Sequence, residues 1–152
     1  MRQKNLWIYW LIAFGIVGLL LWLSGISNLR PFQDIKFPPW IAEIIQHSTV
    51  TWGANSFFAY GVSLHPDYLL HKIGHVVLYG ALGFCLFRIC GRMKWALIIA
   101  LVMAGLDEWR QWFVPGRTGS FWDILLDVAA AWSAVKLFGR RKTRARRIDI
   151  IP

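Results

Sequence analysis

The chain has 152 residues, of which 57% are hydrophobic and 16% aromatic, with a mean hydropathy of +0.45 and a formal net charge of +9. A soluble domain this small cannot hide so much apolar side chain, and a disordered chain does not contain it, so an integral membrane protein is the remaining ordinary class. The charge does not point to nucleic acid, because the basic residues flank apolar runs or gather in the tail Arg140 to Arg147, a placement that marks cytoplasmic ends and attracts anionic lipid.

Four apolar runs predict an all-α bundle of four transmembrane helices, at about residues 6–23, 73–90, 95–114 and 121–138. Each is near the ~20 residues that a bilayer core requires. The first, LWIYWLIAFGIVGLLLWL, follows Arg2 and Lys4. It is longer than a signal-peptide core, and no small-x-small cleavage site follows it at the right distance, so it reads as a retained span. Gly15 and Gly18 either admit a neighbouring helix or face lipid.

Residues 24–70 form a long outward loop of mixed polarity. Within it, PPWIAEIIQHS opens on two prolines and spaces Ile41, Ile44 and Ile45 as a short interfacial helix would. Residues 50–64, with Trp52, Phe57, Phe58 and Tyr60, are too short and too polar to span. They are expected to be a loop packed on the bundle or dipping into the headgroups. HPDYLLHK leads into the second run. Cys85 and Cys90 lie in that run and would point to different faces, so they are expected to stay reduced. PGRTGS makes a tight turn between the third and fourth runs.

Lys and Arg set the expected orientation. Arg2, Lys4, Arg88, Arg92, Lys94, Lys136 and the Arg140 to Arg147 tail fall on one side, against Arg30, Lys36, Lys72, Arg110 and Arg117 on the other. The richer side is cytoplasmic, which places both chain ends there and the long loop and PGRTGS outside. Residues 1–138 then form a single transmembrane domain and residues 139–152 a basic cytoplasmic tail.

The informative residues are ionisable groups within or beside the spans. His71, Lys72 and His75 are on the second helix, and Asp107, Glu108, Arg110 and Gln111 on the third. Arg117 and Ser120 are in the turn, with Asp123 and Asp127 on the fourth helix. A rise of about 1.5 Å per residue sets His75, Asp107 and Asp127 roughly 16–20 Å from the inner ends of their helices. In a core about 30 Å thick, that is a shared depth above the midplane. Lys72, His75 and Tyr79 make one helical stripe, and Asp123 and Asp127 begin another that Ala130, Ala131 and Ala134 continue. Buried charge is costly unless paired or hydrated. A shared outward-open pocket is therefore expected, with Lys72, Arg110, Arg117 and the histidines opposing the acids.

Each residue also has a plainer reading. His75 could be a helix-packing donor, Asp123 a favourable charge at a helix N-terminus, and Arg117 an interfacial anchor. Arg110 could snorkel outward, and Trp109, Trp112 and Trp122 could form an aromatic belt. Asp127 could sit in a purely structural ion pair.

The stretch DEWRQWFVPGRTGSFWDILLD resembles the signature of the VanZ-like membrane proteins: an acid and a Gln three residues apart, then Pro-Gly-Arg, then an Asp opening the last helix. Here these are Glu108, Gln111, Pro115, Gly116, Arg117 and Asp123. HKIGHVVLYGALG is similar to the family's other block, through Lys72, His75 and Tyr79, and Ser24 and Ser27 loosely match a Ser-containing patch. Asp127 stands where many members carry Asn, and Arg110 is an addition to the pattern. The resemblance implies a small polytopic bacterial membrane protein. The family's name-giving member is linked to low-level resistance to the glycopeptide antibiotic teicoplanin.

Three functions compete. The first is binding of an anionic envelope lipid, such as an isoprenoid-linked phosphate precursor, by Lys72, His75, Tyr79, Asp107, Glu108, Gln111, Arg117, Ser120, Asp123 and Asp127. The second is an intramembrane enzyme that uses His75 and paired acids as acid and base, or His71, His75 and the acids around a metal. The third is an assembly role in which the polar groups hold four helices together. The lipid-binding reading ranks first and calls for no cofactor, no metal and no nucleic acid, with membrane lipids as the partners.

Overall fold

The computed structural model describes residues 6–26, 31–32, 35–53, 57–115, 117 and 119–139. Arg2, Lys4, Ser27, Arg30, Gly116 and the basic tail from Arg140 onward lie outside the described residues. The elements in chain order are α1 (Leu6–Gly25), α2 (Pro39–His47), β1 (Val50–Trp52), β2 (Tyr60–Val62), α3 (Pro66–Cys90), α4 (Met93–Gln111) and α5 (Phe121–Gly139).

The four long helices pack together, α3 centrally, against α1, α4 and α5. Helices α1 and α3 are long and apolar enough to cross a membrane. Helices α4 and α5 carry more charge: Lys94, Asp107, Glu108 and Arg110 on the former, Asp123, Asp127 and Lys136 on the latter. Helix α1 leaves Trp7, Leu11, Phe14 and Trp22 at least 60% exposed, a surface suited to lipid and costly in water.

Small residues bring the helices together. Ala96, Ala100 and Ala104 on α4 and Ala131 on α5 are fully buried. A Cβ added at Gly83 of α3 would sit 2.6 Å from the Cβ of Ala131 and 2.7 Å from its Cα. Only glycine lets α3 and α5 approach this closely. Gly15 and Gly18, by contrast, have nothing within 4 Å, so they face away from the other helices.

The expected helices are present with shifted ends. Helix α3 begins at Pro66, seven residues before the apolar run at Ile73. Pro66 occupies the first turn, where its missing N–H is harmless, and the His65 side chain accepts the Asp67 N–H. The segment 39–47 is helical as its isoleucine spacing indicated. The segment 50–64 is not an irregular loop. It contains an antiparallel pair in which Val50, Thr51 and Trp52 face Val62, Gly61 and Tyr60. β-branched and aromatic residues favour such pairing, and the strands are too short to show alternation. Phe57, Phe58 and Ala59 dock on the start of α5: Phe121 N–H donates to Phe57 O at 2.9 Å, and Ser120 Oγ donates to Ala59 O at 3.2 Å. Cys85 and Cys90 are free, as expected.

Candidate functional site

Helix α3 supplies Lys72, His75 and Tyr79 from one stripe. Helix α4 supplies Asp107, Glu108 and Gln111 at its end, and α5 supplies Asp123 and Asp127. His75, Tyr79, Asp107, Glu108, Gln111, Ser120, Asp123 and Asp127 are all buried, Glu108 and Asp127 completely. Lys72 and Arg117 are partly exposed. The polar residues singled out in sequence therefore share one interior.

Their hydrogen bonds divide the acids into two groups. Asp123 pairs with Lys72 across the α3–α5 interface. Asp127 pairs with His75, whose Nδ1 lies 3.1 Å from Oδ2 and 3.3 Å from Oδ1. Among the described residues, Glu108 and Asp107 have no such cationic partner within bonding distance. Glu108 Oε2 accepts the Ser120 N–H at 2.8 Å. The Gln111 amide donates to Asp107 Oδ2 at 3.0 Å and to Glu108 Oε1 at 3.3 Å. Asp107 Oδ1 is buried without a hydrogen-bond partner among the described residues. His75, Asp107 and Glu108 each bring a donor atom within 4.8 Å of the others, close enough to share a metal ion after modest closure.

The link from α4 to α5 is built around Glu108. A Cβ at Gly119 would fall 2.3 Å from the Glu108 carbonyl oxygen, so the turn requires glycine there. That close approach delivers the Ser120 N–H to the Glu108 carboxylate.

Arg110 corrects the expected arrangement. It does not oppose the acids. Its Nη2 donates to Ser24 Oγ at 2.8 Å and also to Leu21 O, both on α1. Arg117 reaches the same helix end, with Nη2 donating to Leu23 O at 3.3 Å. Cations suit a helix C-terminus, where carbonyls lack partners and the dipole is negative. Burial lowers the Arg117 pKa from its ordinary value, and Asp107 and Glu108 pull against that shift. Arg117 is thus tied to the end of α1, while Asp107 and Glu108 act on it through space.

Above the Lys72–Asp123 pair is a polar cavity of about 240 Å³, lined by Thr49, Tyr60, Ser63, Tyr68, Lys72, Ser120 and Asp123 among others. The Lys72 ammonium sits 5.2 Å from the ring centroids of both Tyr60 and Tyr68, a cation–π environment. The sequence does not mark Thr49, Tyr60 or Ser63 as lining this cavity, because nothing local ties them to α3. The Tyr68 hydroxyl donates to Gly61 O at 2.7 Å and holds the two together. A turn below Lys72 and Asp123, an apolar groove of about 690 Å³ runs between α3 and α5, from Val76 and Leu126 to Phe84 and Phe138.

Trp109, Trp112 and Trp122 are all more than 40% exposed, outside the buried cluster.

The model of one protein family, described as VanZ/LLP1, matches residues 6–140, which spans all the described helices. The chain belongs to the VanZ/LLP1 family. The resemblance carried by Glu108, Gln111, Pro115, Arg117 and Asp123 is thereby extended to the α1 region, where the residue match was loosest. Family membership and two apolar helices together make this VanZ/LLP1 chain a membrane protein. No curated protein and no solved structure matches it.

Proposed function

We propose that this VanZ/LLP1 protein crosses the bacterial cell membrane four times, with both ends cytoplasmic, and binds an anionic, isoprenoid-linked or similar envelope lipid from the outer side. Such binding would connect it to glycopeptide resistance of the teicoplanin type. The bias of Lys and Arg supports the orientation.

One observation carries the ligand reading. The polar cavity is lined by Lys72 and Asp123, and the apolar groove between α3 and α5 by Val76 and Leu126, about one helical turn further along the same two helices. Lys72 and Val76 are one turn apart on α3, and Asp123 and Leu126 are neighbours on the same side of α5. An isoprenoid or acyl chain fits the groove, and its phosphate reaches the cavity. There the Lys72 ammonium, the Ser63 and Thr49 hydroxyls and the Tyr60 and Tyr68 rings supply donors and a polarisable wall. Arg117 supplies a further cation on the α1 side, and Asp123 holds Lys72 in place until phosphate competes for it.

Titration of the purified protein with an isoprenyl phosphate should give saturable binding that Lys72→Ala and Arg117→Ala each weaken. Equal binding by the wild type and both variants eliminates the reading.

The His75–Asp127 pair favours a second reading, an intramembrane acid–base enzyme acting on the same lipid. A carboxylate that orients a histidine is a common arrangement for proton transfer. Incubation of candidate lipids with the protein, followed by mass spectrometry, separates turnover from binding.

A further inference from the structure

The geometry points to a divalent transition-metal site formed by His75, Asp107 and Glu108, deep in the helix bundle. This goes beyond lipid binding and does not depend on it. It departs from the expectation that the chain needs no metal.

The first observation is the convergence itself. One donor atom from each residue lies within 4.8 Å of the other two, and all three residues are buried. Two ligand atoms bound at about 2.0–2.2 Å to one tetrahedral ion are roughly 3.3–3.6 Å apart, so side-chain adjustments on the order of 1 Å bring the set to bonding distance.

The second observation is independent of the clustering. Asp107 is 4% exposed, yet its Oδ1 meets no hydrogen-bond partner among the described residues. Buried polar atoms are normally satisfied, and an orphaned carboxylate oxygen costs more than a neutral one. A cation bound there would satisfy it.

Charge balance runs the same way. Lys72 neutralises Asp123, and His75 serves Asp127. Asp107 and Glu108 remain as adjacent buried acids that share one Gln111 amide, with the Arg117 guanidinium acting on both through space without a direct ion pair. A divalent ion neutralises both.

The remaining contacts fit the orientation a ligand set needs. When His75 donates its Nδ1–H to Asp127, the lone pair of Nε2 is left free for the ion. Metal-binding histidines usually make this hydrogen bond to a carboxylate. Gln111 and the Ser120 N–H fix the two carboxylates. One imidazole and two carboxylates suit zinc, manganese or iron in the divalent state, with positions left open for water or a phosphate oxygen.

The test uses the full chain in detergent, loaded with Zn²⁺ and desalted, with metal content read by mass spectrometry. Wild type should retain near-stoichiometric zinc. Asp107→Asn combined with Glu108→Gln should lower the affinity for Zn²⁺ by roughly tenfold or more, whereas Glu43→Gln should keep it. The two variants are compared at equal gel-filtration monodispersity. X-ray absorption of the zinc-loaded wild type, which needs no variant to fold, should show one imidazole with oxygen donors. Wild type that retains no zinc, manganese or iron, a double variant that binds as tightly as wild type, or a shell without imidazole overturns the site.

Discussion

His75 Nδ1 lies 3.1 Å from Asp127 Oδ2 across the α3–α5 interface, with His75 only 8% exposed and Asp127 fully buried. The two helices that meet here also meet at Gly83 and Ala131, about two turns further along α3 and one turn further along α5. Polar pairing and close backbone packing thus fix the same interface at different depths.

Asp127→Ala leaves the buried His75 without its partner. Breaking a buried pair by removing one member costs about 3–5 kcal/mol. Asp127→Asn keeps an acceptor for the Nδ1–H, so its loss should be smaller. Thermal unfolding in detergent should order the three proteins wild type, Asn, Ala. An alanine variant as stable as wild type would show that the pair does not hold the bundle together.

Gly83→Val places new atoms against Ala131, whose Cβ is 2.6 Å from the added Cβ position. Overpacking of this kind costs about 1–3 kcal/mol, and more where backbone must move. Ala131→Gly removes the nearer atom but leaves the Cα at 2.7 Å. It should restore only part of the loss in a double-mutant cycle. Additive effects would mean the two positions do not touch.

Arg110→Ala removes the hydrogen bonds to Ser24 and Leu21 and should loosen α1 from α4. Ser24→Ala should cost about 0.5–1.5 kcal/mol alone, and close to nothing once Arg110 is gone. Stability measurements on the two single variants and the double variant read this coupling directly. Full additivity would remove Arg110 from the α1 anchor.

In a variant lacking Cys85 and Cys90, Ser63→Cys should react with an impermeant maleimide in intact cells. Arg144→Cys should react only after permeabilisation. The reverse pattern would invert the proposed topology.

Much of the site was legible because burial in lipid punishes charge. His75, Asp107, Glu108 and Asp127 stood out at a common helical depth, and the structure places them together. The start of α3 was hidden because its first two turns are polar, and hydropathy sees apolar runs rather than the proline and His65 cap that begin the helix. The hairpin was hidden because strands of three residues are too short to establish a period. Arg110 misled because its charge indicates proximity to acids as readily as to helix-end carbonyls, and only the position of α1 decides between them. The fully buried alanine stripe of α4 is compatible with any apolar run, so its packing role emerged only from the neighbouring helices.

Photolabelling with a diazirine-bearing isoprenyl phosphate examines the lipid reading most directly. The account predicts labelled peptides from the α3 and α5 walls of the groove, between Val76 and Phe84 and between Leu126 and Phe138, displaced by unlabelled isoprenyl phosphate and reduced by Lys72→Ala. Labelling confined to the exposed face of α1, or unaffected by competitor, would contradict it.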